Sequence, residues 1–478
     1  MATTSAHPRT DPVPAVILTM AGVWAVAVVA GLVEPSYGAV AAAIAIAIVG
    51  WRRPWQSLPG TSGSDLGAWG LLLMAASPLV PARLLPSVAG VGVDDLPMIV
   101  GTLLAVVSVW RTEHPRTLLQ PLAVPLYLFA LWNGVSVVLG GDVDAGTIAR
   151  GVGRWLLVAL AFSAALVVAR RPGRARWVVS VVVLVGVAEA LFGIWSYLVD
   201  WAPTSPEKAL LIGMERWRVY QPLYETVPGR LTGTLGVSSN FFGALMLIPT
   251  MLAAGRFAKA TERLHAVGYG IATAATLFGL VLSYTRASVV ALAAGVVVLL
   301  VLLRRLRPTL LLVGLLVAAS VLTPILSRFS EGNDRLALAG RSLETIGERP
   351  VTGLGSGEFV DAQFDEERPV LIATPHNSFL LAAAETGIPG GVLLFLAAAA
   401  PGAVLAFWVV IRRRHDPIVV AATAGLFAFG VQTFSNNLFH IPGVAAAYWL
   451  VAAAGVGMVI GGEGRAPADE APERARRR

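Results

Sequence analysis

The sequence predicts an all-α, polytopic transmembrane helix bundle, and three observations carry that prediction. Of 478 residues, 56% are hydrophobic and only 14% charged, which leaves too little polar surface for a water-soluble fold. Apolar runs of the roughly 20 residues needed to cross a bilayer core of ~30 Å recur along the chain. The arginines stand in short clusters between those runs. A net charge of +7 with a pI near 10.1 would suggest nucleic acid in a soluble protein, but clusters alternating with apolar runs are the membrane-topology pattern, so no nucleic-acid partner is expected.

Fourteen candidate spans follow in order, at 14–33, 36–50, 66–82, 96–110, 117–139, 152–169, 177–198, 237–255, 266–284, 287–303, 309–327, 390–411, 417–434 and 441–460. The second, third and fourth are short, so 12 to 14 spans are expected. Only Arg9 precedes the first run, and no small-residue cleavage site closes it, so it reads as a retained span. The chain thus divides into N-terminal transmembrane helices (1–198), a first long loop (199–236), central helices (237–327), a large loop (328–389), C-terminal helices (390–460) and a tail (461–478). That tail, GGEGRAPADEAPERARRR, is small, charged and Pro-containing, and is expected to be disordered and able to touch anionic lipid. No internal repeat is visible.

Orientation follows from the cations, because basic short loops resist translocation. With both termini cytoplasmic, Arg52/Arg53, Arg111/Arg116, Arg170/Arg171/Arg174/Arg176, Arg256/Lys259/Arg263, Arg304/Arg305/Arg307 and Arg412/Arg413/Arg414 all fall inside. Of 36 basic residues 23 lie inside and 13 outside, and the outside ones concentrate in the two long loops, where the rule has little force. The arginine excess, with only Lys208 and Lys259 as lysines, and the abundance of Ala, Val and Gly fit a GC-rich bacterial genome. There is no cysteine, which excludes disulfides, thiolate metal sites and cysteine nucleophiles.

The external loops hold most of the polar chemistry. GRLTGTLGVSSNFFG, from 229, runs from loop into helix with Arg230 just outside the membrane and Ser238, Ser239 and Asn240 at the helix start. A helix N-terminus beside an Arg favours an anion; N-capping plus a snorkelling Arg is the competing account. LSYTRASVV, from 282, places Thr285 and Arg286 in a tight external turn, where a guanidinium calls for an anionic partner unless it sits in the headgroup layer. ATPHNSFLLAAAETGIPGG, 373–391, contains His376, one of six histidines. His7, His114, His265 and His415 fall inside, leaving His376 and His440 outside. An imidazole accepts a proton from a hydroxyl near neutral pH, although a lone interfacial His is commonly structural.

The run after His376, NSFLLAAAETG, bounded by Gly387, Pro389, Gly390 and Gly391, predicts a short interfacial helix that frames a cavity rather than spans. RPVTGLGSGEF at 349–359 lacks the Lys-Ser/Thr ending and strand context of a phosphate loop, so nucleotide binding is not expected. Asp361, Asp365, Glu366 and Glu367 read as a solvated surface run rather than a metal cluster.

Taken in order, R-L-T-G-T-L with S-N-F-F-G, then Y-T-R-A-S, then P-V-T-G-L-G-S-G-E-F, then H-N-S-F-L with E-T-G-I-P-G resembles the bacterial O-antigen ligase and polymerase family of membrane glycosyltransferases. The resemblance covers 229–399 well; the earlier helices match only as hydrophobic spans. It implies a GT-C-like fold in the bacterial cytoplasmic membrane, with the active site on the outer face. The implied donor is a polyprenyl-diphosphate-linked glycan (undecaprenyl diphosphate as carrier) and the implied acceptor a glycan, lipid or protein hydroxyl. Carried over by motif, His376 is the catalytic or acceptor-orienting residue, with Asn377 beside it. Arg286 and Arg230 hold the diphosphate, with Asn240 and Thr285 in support. Arginine presents several donors to phosphate and stays charged at a membrane edge, so these roles are physically sound and need no metal or cofactor. Arg328, Arg335, Arg341, Arg349 and Arg368 offer further loop cations with no means of choosing among them, and Glu385 suits capping or packing of the short helix as well as chemistry.

The rival from another class is a secondary transporter or a flippase of lipid-linked glycans. Proton coupling calls for ionisable groups at mid-membrane depth, and the spans offer chiefly Glu189, beside polar Asn133 and Gln432. A hydrogen-bonded helix contact accounts for Glu189 more simply. A non-catalytic scaffold would leave the ordered Arg and His motifs unexplained.

Overall fold

A computed structural model describes residues 13–22, 65–79, 95–140, 145–198, 231, 239–303, 332–359, 375–412 and 416–461. Its regular structure is helical throughout the described residues: α1 (Val13–Gly22), α2 (Leu66–Ala76), α3 (Leu96–Thr112), α4 (Val124–Gly140), α5 (Ala145–Ala169), α6 (Arg174–Leu198), α7 (Ser239–Phe257), α8 (Arg263–Leu282), α9 (Arg286–Leu302), α10 (Gly332–Glu348), α11 (Ser378–Val410), α12 (Pro417–Thr433) and α13 (Pro442–Ile460). By length and composition seven of these helical segments can cross a membrane, and five shorter apolar ones accompany them. The candidate spans at 36–50 and 309–327 lie outside the described residues.

Position in the bundle follows from how each helix is covered. Windows of α6 and α13 are 89% buried by protein, whereas α8 and α11 are 33% buried, so the former pair forms the centre and the latter the periphery. Apolar on all sides, the central helices have no polar stripe to aim at water. Peripheral faces instead expose Trp110, Leu131, Val138, Phe278, Phe395 and Leu396, side chains suited to lipid. Small residues set the crossings. A Cβ on Gly295 of α9 would lie 2.7 Å from Ala428 of α12, and one on Gly70 of α2 would lie 2.7 Å from the Ala105 backbone of α3. Close backbone approach of this kind replaces the hydrophobic drive that lipid does not supply.

Polar contacts among the described residues gather at two separate ends of the bundle. At one end Arg174 pairs with Asp65, Arg170 donates to Gln120 (2.6 Å), Arg171 to Thr112 (2.7 Å), Arg256 to Ser180 (3.1 Å) and Tyr269, and Arg176 meets Asp416 at 3.6 Å. At the other, Arg154 donates to the His440 carbonyl, Trp132 to the Thr386 carbonyl (2.7 Å) and Thr285 to the Ser239 carbonyl (3.0 Å). Helix α5 carries Arg154 in its first half and ends just before Arg170, and α12 begins beside Asp416 and carries Gln432 in its last turn, so each crosses from one end to the other. Some boundaries differ from expectation. The fifth span starts at Val124 rather than 117, after 3-10 turns at Pro115–Leu118 and Pro121–Ala123 that the prolines impose; the sixth starts at Ala145, its first three turns carrying Arg150 and Arg154.

Candidate active site

The end opposite the arginine-rich one is built around α11, which is two helices joined at a kink. Gly387, at φ 76° and ψ 173°, separates an N-terminal arm (378–386) from a long C-terminal arm. The predicted short helix after His376 is that first arm. Asn377 is its N-cap: extended at φ −156°, ψ 118°, its Oδ1 accepts from the amides of Phe379 (2.9 Å) and Leu380 (3.0 Å). Two of the four amides that a helix start leaves open are thereby satisfied, and half-buried His376 is fixed immediately ahead of the first turn. Asn377, expected to support substrate, therefore has a structural task for its oxygen. The arm is also tied sideways, because Ser378 Oγ donates to the Asn436 carbonyl (3.1 Å) and accepts from the Phe439 amide (3.4 Å).

The glycine-rich segment secures the other end of the arm. Leu354 and Gly355 donate their amides to the carbonyls of Ala384 (3.0 Å) and Glu385 (2.8 Å), and Ile388 donates to the Pro350 carbonyl (2.7 Å). Such contact requires bare backbone. Gly353, at φ 63°, would place a Cβ 2.5 Å from the Glu385 carbonyl oxygen and 2.6 Å from the Thr386 nitrogen, and a Cβ on Gly387 would collide with the Val351 carbonyl. Glu385 is buried, and its carboxylate accepts from the Gly357 amide, consistent with capping and packing. Above the arm lies amphipathic α10, with Leu338, Ser342 and Thr345 on its buried face. Phe359, Leu381 and Ala384, with Ile346 and Leu354 against them, form a second small core apart from that of the bundle.

The other expected residues gather at the same end. The turn between α8 and α9 comprises buried Ser283, then Tyr284 and Thr285. Tyr284 has φ 48°, the sole positive value outside glycine among the described residues, and an aromatic side chain adopts that region only at a cost of order 1–3 kcal/mol. Thr285, 2% exposed, approaches Asn240 Oδ1 at 3.3 Å while donating to the Ser239 carbonyl, which joins this turn to the start of α7. Arg286, the first residue of α9, is exposed. Arg230 lies outside the described residues, as do Arg328 and Arg368 and the run Asp361, Asp365, Glu366 and Glu367. Leu231 is described, and its amide donates to the Leu282 carbonyl (3.1 Å) at the same turn.

Gln432 closes the circuit: its Nε2 donates to the Asn240 carbonyl at 3.3 Å. A continuous series of contacts therefore runs from Thr285 and Asn240 through Gln432 and Asn436 to Ser378, and places Arg286 and His376 at one end of the bundle. Two further groups stand there, Arg154 and His440, to which the sequence assigned no role. Arg154 is held by the His440 carbonyl, and the His440 ring packs edge-on against Trp155 at 5.6 Å. Burial, and then the charge of Arg154, push the His440 imidazole down to about 3, so it stays neutral near pH 7. Of the mid-span polar groups, Asn133 donates to the Phe129 carbonyl (2.7 Å) and Glu189 is fully buried and engaged.

Residues 271–395 match the family model described as O-antigen ligase. No curated protein is significantly similar to the chain. The matched segment contains the Thr285–Arg286 turn, α10, the glycine-rich loop, His376 and the whole first arm of α11.

Proposed function

We propose that this chain, whose residues 271–395 match the family model described as O-antigen ligase, is a membrane glycosyltransferase acting on a polyprenyl-diphosphate-linked glycan. One observation carries the reading. The capped helix start that presents His376 and the turn that presents Arg286 share one end of the bundle, linked through Asn240, Gln432 and Asn436.

In this reading the acceptor hydroxyl oxygen attacks the anomeric carbon of the donor sugar, and the bond from that carbon to the diphosphate oxygen breaks with its electron pair leaving on the diphosphate. His376 orients the hydroxyl and takes its proton. Arg286, with Arg230, stabilises the charge gathering on the leaving diphosphate, work that guanidinium groups do without a metal ion. Asn240 and Thr285 shape the anion side, and Asn377 sets the height of His376. The polyprenol lies in lipid beside the bundle, the reacting end faces outward from the bacterial cytoplasmic membrane, and both termini remain inside. The acceptor is a glycan, lipid or protein hydroxyl, and the fold is GT-C-like with 12 to 14 spans.

A direct test uses the purified protein in proteoliposomes with a polyprenyl-diphosphate oligosaccharide, scoring longer chains or new conjugates. His376→Ala is expected to lower transfer by about 10²–10⁴-fold and Arg286→Ala by about 10²–10³-fold, with normal membrane insertion. Full transfer by both variants would remove the mechanism.

A further inference from the structure

Gln432 is fully buried in the last turn of α12. Its Nε2 holds the Asn240 carbonyl, while its Oε1 is buried without a hydrogen-bond partner. The Oγ of Ser288 and the Nδ2 of Asn436 are in the same condition. Ser288 belongs to the same junction: a Cβ on Gly243, one turn beyond Asn240, would meet its Oγ at 2.5 Å. A half-satisfied buried amide is destabilising by roughly 1–3 kcal/mol relative to an apolar side chain of the same shape. Polarity at 432 therefore does not serve stability.

Its geometry offers a different use. The Gln432 carbonyl accepts from the Ser435 amide (2.9 Å) and Ser435 Oγ (3.1 Å), which fixes the turn leading to Asn436. The Asn436 carbonyl in turn holds Ser378, two residues after His376. Five residues, 432–436, thus grip the Arg286 side through Asn240 and the His376 side through Ser378. We propose that Gln432 is a positioning residue: its carboxamide braces the α7 start against α12, so that the anion-binding turn and the imidazole keep a fixed separation during transfer. This rests on the glycosyltransferase reading. Misplacement of reacting groups by about 1 Å costs on the order of 10²-fold in rate, so the effect belongs in kcat rather than in donor binding.

The test uses the same proteoliposome assay with full-length protein. Gln432→Met keeps the volume and removes the hydrogen bond. It is expected to insert normally and melt no lower than wild type, while kcat falls about 10- to 100-fold and donor KM shifts less than about twofold. Ser378→Ala releases the other grip, and the double variant is expected to be little worse than either single one, because both cut the same link. Wild-type kcat in Gln432→Met, or fully multiplicative losses in the double variant, overturns the proposal. Should Gln432→Met fail to accumulate, Gln432→Asn, which stays polar but falls short of Asn240, must show the same kcat loss or the proposal fails. A wild-type protein that transfers no glycan instead overturns the parent reading and takes this one with it.

Discussion

Replacing Gly353 with alanine tests whether the glycine-rich loop is a mechanical part of the site. At φ 63° an alanine sits in the left-handed region, a penalty of about 1–2 kcal/mol. Its methyl would also stand 2.5 Å from the Glu385 carbonyl oxygen and 2.6 Å from the Thr386 nitrogen. These are backbone atoms and cannot rotate away, so the loop must withdraw by about 1 Å to reach ordinary carbon contact distance. Withdrawal breaks the Leu354–Ala384 and Gly355–Glu385 hydrogen bonds, each worth about 1 kcal/mol net. Together the terms loosen the docked arm by about 3–4 kcal/mol, which corresponds to amide exchange on the order of 10²–10³-fold faster. Hydrogen–deuterium exchange in nanodiscs, read over 353–357 and 378–386, measures this directly. Gly357→Ala is the internal control, since its φ is 87° but a Cβ there meets nothing within 4 Å. It bears the backbone penalty without the collision. If Gly353→Ala protects the arm as well as wild type does, or if the two variants exchange alike, the loop does not clamp the helix and its glycines need another explanation.

Two further outcomes follow from burial and charge at either end. Asp65→Asn preserves the N-cap that Asp65 gives Ala68 but leaves the Arg174 guanidinium, 5% exposed, without its carboxylate; the denaturation midpoint in detergent is expected to fall by an amount equivalent to about 3–5 kcal/mol, and an unchanged midpoint would show the pair to be dispensable. His440 is held neutral, its folded value near 3 lying below the ordinary 6.5, so the unfolded chain binds the proton more readily. The stability associated with neutral His440 is complete above pH 6.5 and is lost as pH falls toward 3, amounting to about 2 kcal/mol by pH 5. His440→Phe keeps the ring contact with Trp155 and should flatten that acid limb of the thermal stability profile; a slope identical to wild type would refute the assignment.

Which parts were legible depended on whether the signal was local. The helices could be read because a bilayer demands runs of about 20 apolar residues, and the two polar ends because cations mark loops. Boundaries failed where polar residues continue a helix beyond the apolar stretch, as at Arg150 of α5. Thr285 and Asn240 were singled out for charge and cap chemistry, and their contact confirms only that they meet. At Asn377 the resemblance names a partner of His376, and the structure adds that its oxygen caps the helix. The loop 349–359 docks backbone to backbone, which leaves no side-chain pattern to read. Tyr284 is invisible for the same reason, since a positive φ at a non-glycine residue is imposed by the turn around it. Arg154 and His440 meet across 286 positions, beyond the reach of any periodicity.

The small core of Phe359, Leu381 and Ala384 is separate from the large one that fills the bundle. Each core supplies its own cooperativity, so the outer cap can open at a lower free energy than the helices beneath it. A melting curve followed by helical content would then report the bundle and stay blind to the part that presents His376. On the proposed function, damage to the cap would register as a protein that looks intact in the membrane and does no work.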